Sequence, residues 1–61
     1  MIYESSEIAA ERVRLGLSQD KLAALSGVSA RQICKVEKVG NASERTLKKL
    51  TVALQRAGGA E

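Results

Sequence analysis

Apolar residues recur at helical spacing in four stretches of the chain: Ile8 and Leu15; Leu22 and Ala23; Ile33 and Val36; and Leu47, Leu50 and Leu54. Single glycines (Gly16, Gly27 and Gly40) separate the stretches, and a Gly58-Gly59 pair follows the last. Glycine suits the left-handed position just past a helix, so each of these marks a stop. A serine opens each stretch, at Ser6, Ser18, Ser29 and Ser43, where its hydroxyl can accept a free backbone N–H. Leu17 with Leu22, Val28 with Ile33, and Ala42 with Leu47 flank the last three serines at the spacing of a hydrophobic staple, and Ser29 with Gln32 fits a capping box. The pattern predicts helices over 6–15, 18–26, 29–37 and 43–56, with one shared core that Leu17 and Val28 close at the turns.

Composition narrows the class. A chain of 61 residues is read as a single domain over 1–61, and a domain this small buries only about 60% of its unfolded surface. Phe and Trp are absent and Tyr3 is the only aromatic residue, so the core must be aliphatic. That material suits packed helices better than sheets. The expected fold is all-α, a compact bundle of four short helices, or five. No apolar run approaches the ~20 residues that span a bilayer, and no signal-peptide core follows the N-terminus, so the expected location is the cytoplasm. Cys34 stands alone and histidine is absent. Neither an internal disulfide nor a zinc site is expected, and no cofactor is called for. Without histidine, and with Asp20 the only aspartate, no acid–base or nucleophilic constellation assembles, so no enzyme is expected.

Charge adds a partner. The net charge of +3 hides an asymmetry, because Glu4, Glu7 and Glu11 precede every basic residue. Beyond them all ten bases face four acids, a balance of +6. Six of the bases (Arg31, Lys35, Lys38, Arg45, Lys48 and Lys49) fall in one short span against Glu37 and Glu44. A polyanion is the natural partner.

Helices 2 and 3 are joined by only Gly27-Val28 before the Ser29 cap, too little chain for an antiparallel return, which favours a sharp crossing between them. That is helix-turn-helix geometry, spanning about 18–37. Ala23 is small enough for close approach at the crossing. The run Arg12-Val-Arg-Leu-Gly-Leu-Ser-Gln19, followed by Leu22-Ala23, Gly27-Val28-Ser29, Ile33, Val36-Glu37 and Leu47, resembles the phage-repressor-like (Cro/C1, or XRE) helix-turn-helix family over residues 8–54.

The resemblance implies a sequence-specific regulator of transcription, a repressor or activator, bacterial or from a phage or mobile element, and associated with the nucleoid. Its partner would be double-stranded operator DNA, palindromic or nearly so, bound by a homodimer. In such domains the second helix of the motif enters the major groove. Here that helix starts at Ser29, and with Ile33 and Val36 turned inward its base contacts fall to Ser29, Ala30, Arg31 and Lys35. Gln19 resembles the family glutamine that contacts a phosphate. Gln32, Asn41, Ser43 and Arg45 are the further phosphate contacts. Arg12 and Glu37 occupy positions where the family often places a partly buried ion pair. One departure stands out: Glu37-Lys38-Val39-Gly40 delays by one residue the glycine that usually follows the glutamate.

Plainer readings stand beside these. Basic residues on helices are usually just solvated, which is the alternative for Arg31 and Lys35 and the favoured reading of Lys48 and Lys49. Cys34 among bases can be a redox switch, but a small residue beside the DNA-facing surface is the simpler account. Gln19 can be a mere helix-start residue, and Val52 either an ordinary exposed residue or part of a partner surface. The rival function is an antitoxin-type interaction module that neutralises a partner protein and autoregulates its operon. RNA binding is disfavoured, because single-strand readers stack bases on aromatic rings and Tyr3 alone is poor material.

Overall fold

The computed structural model describes residues 2–40 and 42–58. It contains α1 (Ser5–Arg14), α2 (Gln19–Ser26), α3 (Ala30–Val39) and α4 (Glu44–Ala57), and no strand among the described residues. Three of the four expected serine caps form: Ser18 Oγ accepts from Lys21 N, Ser29 Oγ from Gln32 N and Ser43 Oγ from Thr46 N. The first helix starts differently. Glu4, not Ser6, is its N-cap, and Glu7 Oε1 accepts from Glu4 N at 2.8 Å. Carboxylates at the positive end of a helix do the work expected of the serine hydroxyl.

The glycine stops form as expected at Gly16, Gly27 and Gly40, all with positive φ. At the end of α1, Leu17 N donates to Arg12 O and Gly16 N to Val13 O, both at 3.0 Å, which is a Schellman closure. The displaced glycine extends α3. The helix runs to Val39, beyond the expected end at Glu37, and Gly40 at φ 76 then closes it with its N–H on Val36 O. The extra residue is absorbed as helix.

Ile8, Leu22, Val28, Ile33, Val36, Leu50, Ala53 and Leu54 form the buried core, with Tyr3, Leu15, Leu17, Ala23, Ala42 and Leu47 packed partly buried against it. Each helix contributes, so none is an appendage. Thr51 and Ala53 belong to this core although the periodic stripe of α4 does not single them out. Thr51 is 2% exposed, and its hydroxyl is satisfied twice: Oγ1 donates to Leu47 O at 2.7 Å and accepts from Tyr3 N at 2.9 Å. The second bond ties the segment before α1 to the middle of α4. No described helix is long and apolar enough to cross a membrane.

Replacing Thr51 with Val keeps the shape but leaves the Tyr3 amide without its acceptor. Thr51→Val should lower stability by about 1–2 kcal/mol in urea denaturation and speed hydrogen exchange at the Tyr3 amide. Unchanged exchange at that amide would mean the bond does not hold the N-terminal segment.

Candidate nucleic-acid interface

The surface is built from the turn outward. Gly27, at φ 77, ends α2 with its N–H on Ala23 O. A side chain there would meet no neighbour, so the glycine is required by backbone conformation rather than by space. Ser26 Oγ then accepts from Val28 N at 3.2 Å, and Val28 turns inward at 7% exposure. Three residues therefore turn the chain and start α3 at the Ser29 cap.

The orientation of α3 relative to α1 and α2 is held at Glu37. Arg12 Nε donates to Glu37 Oε2 at 2.7 Å and Arg12 Nη2 to Glu37 Oε1 at 3.1 Å, a two-pronged pair whose side chains are 17% and 9% exposed. The remaining arm of the guanidinium, Nη1, donates to Leu17 O at 2.8 Å. Gln19 Nε2 donates to Glu37 Oε1 at 3.0 Å. One carboxylate on α3 thus takes hydrogen bonds from α1 and from the start of α2. The hydrogen bond to Glu37, reinforced by its charge and partly opposed by burial, raises the Arg12 pKa above its ordinary value, so the guanidinium stays charged at any physiological pH. The ion pair that the resemblance implies is present. The place of Gln19 in it was not foreseen.

Facing away from the core, α3 presents a shallow concave surface lined by Ser29, Arg31, Gln32, Cys34, Lys35, Lys38 and Val39. Arg31, Lys35 and Lys38 are exposed at helical spacing on one side of α3. Neither of the two ion pairs among the described residues, Arg12 with Glu37 and Arg14 with Glu11, engages them. Ser29, Arg31, Gln32 and Lys35 share this surface. Ala30 is half-buried and does not line this surface. Gln19 lies beside α3 at Glu37. Ser43 caps α4, and the exposed Arg45 lines a different groove with Lys48 and Lys49. Asn41 lies outside the described residues. Sequence reading passed over Lys38 and Val39 as contact positions. Their spacing of seven and eight residues from Arg31 was the available signal, but it counts only once α3 is known to extend past Glu37.

A short α2, a three-residue turn and a capped α3 whose outer face is basic define a helix-turn-helix protein of the DNA-binding class. The family model described as "Helix-turn-helix" matches residues 8–57, and the chain belongs to this family, the Cro/C1-type or XRE helix-turn-helix proteins. Membership points to a DNA-binding regulator of transcription with double-stranded DNA as partner. No curated protein and no solved structure matches the chain.

The Glu37 node yields a stability prediction. Arg12→Ala should cost about 1–3 kcal/mol, because it leaves a largely buried carboxylate with only Gln19 to solvate it. In a double-mutant cycle with Glu37→Ala the two losses should couple by more than about 0.5 kcal/mol. Strict additivity in chemical denaturation would show that the pair does not act as a unit.

Proposed function

We propose that the protein is a sequence-specific regulator of transcription that binds operator DNA by laying α3 in the major groove. The observation that carries this reading is the row of Arg31, Lys35 and Lys38, exposed on the outer face of α3 and in none of the ion pairs among the described residues. Arg31 can offer two donors to guanine O6 and N7, and Lys35 a donor to guanine or phosphate. Ala30 supplies an apolar contact to a thymine methyl, from the flank of the face. The Ser29 oxygen already accepts the Gln32 amide, so its hydroxyl proton is what it offers to DNA.

Gln19 positions. A carboxylate only accepts hydrogen bonds, so Glu37 obliges the amide nitrogen of Gln19 to face it, and the second N–H of that nitrogen is left for a phosphate at the N-terminus of α2. Gln32, Ser43 and Arg45 provide further phosphate contacts, with Asn41 between α3 and α4 as another. One such helix reads only a few base pairs, so a homodimer on two half-sites about 10 bp apart, palindromic or nearly so, is the working form.

Selection from a random duplex pool at stated salt should enrich a short motif, and two copies of it at helical-turn spacing if the dimer reading holds. Absence of enrichment would overturn the proposal. Arg31→Ala should relax preference at a single base position, with a loss of about 1–3 kcal/mol on the selected site. Gln19→Ala should weaken all sequences alike, as expected of a phosphate contact. Light scattering that finds monomers both free and on the selected duplex would remove the dimer.

A further inference from the structure

A second concave surface lies between α2 and α4 and shares no lining residue with the outer face of α3. Its volume is about 420 Å³. Two aliphatic side chains stand exposed in it, Leu25 at 48% and Val52 at 38%. Around them are Arg45, Lys48, Lys49 and Arg56, and among the described residues no acidic one lines the groove. Neither ion pair among the described residues involves any of the four bases.

This combination selects its occupant. DNA phosphates would satisfy the bases but have nothing to set against Leu25 and Val52. A second copy related by two-fold symmetry would match the aliphatic residues but press four bases against four like charges, which is strongly unfavourable at close range. An acidic amphipathic helix answers both features, because it carries aliphatic residues on one stripe and carboxylates on either side of it. The groove follows α4 from Arg45 to Arg56, roughly 16 Å at about 1.5 Å per residue, which is the length of a three-turn helix. We infer that the α2–α4 groove is a docking site for an acidic amphipathic helical segment of a partner protein, seated on Leu25 and Val52 and held by the surrounding bases. This site is independent of the DNA reading, except that Arg45, which lines this groove, is also one of the proposed phosphate contacts.

The test uses the whole chain, isotope-labelled, and a designed peptide of about 14 residues with Leu at alternating three- and four-residue spacing and Glu elsewhere. Amide shifts should be saturable and centred on Leu25, Val52 and Arg56. Lys49→Glu combined with Arg56→Glu should weaken the peptide by about 10-fold or more, with duplex binding and the melting curve retained. Leu25→Ser, at an already exposed position, provides a second variant that should weaken it by about 5-fold should the charge reversals unfold the chain. Absence of shifts would overturn the inference, as would shifts centred on α3. So would a polyglutamate peptide that binds as well as the amphipathic one, since the groove would then be a general polyanion surface. Protection of the same amides by duplex DNA, with displacement of the peptide, would assign the groove to phosphates instead.

Discussion

A carboxylate that is nine-tenths buried has to be compensated, and in this protein the compensation is drawn from two other helices. Glu37 sits near the end of α3 and takes two bonds from Arg12 on α1 and one from Gln19 at the start of α2. Arg12 in turn holds the carbonyl of Leu17, in the turn between α1 and α2. The arrangement contributes little net stability compared with an apolar contact of the same size, because both charges lose water. What it provides is orientation. Apolar contacts between α1, α2 and α3 are non-directional, whereas a two-pronged arginine–carboxylate pair tolerates little sliding or rotation.

That orientation matters because the core is small and made of unspecific parts. Aliphatic side chains such as Ile8, Leu22, Ile33, Leu50 and Leu54 fill it, and the one aromatic residue, Tyr3, packs only partly buried against it. Such cores hold a fold together more readily than they specify one arrangement of it. Two polar devices supply the missing specificity, Glu37 between α1, α2 and α3, and Thr51 between α4 and the segment before α1. Both have their hydrogen bonds satisfied, and no described side chain leaves a buried polar atom without a partner.

Seven of the ten basic residues are divided by the fold between two faces. Arg31, Lys35 and Lys38 project from α3, while Arg45, Lys48, Lys49 and Arg56 border the groove between α2 and α4. The first set stands on a helix capped and aimed by the turn before it, which suits recognition of a rigid duplex. The second surrounds exposed aliphatic side chains, which suits a ligand with an apolar stripe of its own. The delayed glycine feeds the first set. By extending α3 to Val39 it places Lys38 on the helix beside Arg31 and Lys35, where a shorter helix would have left it in a loop.

By itself the sequence determined what depends on neighbours along the chain. Helix number, approximate bounds, the serine caps and the tight turn between α2 and α3 follow from periodicity, hydroxyls and glycines within a few residues of each other. The pairing of Arg12 with Glu37 was legible only through the family resemblance, since nothing in a separation of 25 residues encodes a contact. Even locally, carboxylates displaced the serine at the start of α1, because more than one residue type can satisfy a free N–H. Only the tertiary structure decided the partner of Gln19, the burial of Thr51 against Tyr3, and the meeting of Leu25 with Val52 in one groove. Each of these depends on how whole helices lie against one another. That is settled by packing a shared core and satisfying its few buried polar groups, and spacing along the chain does not report it.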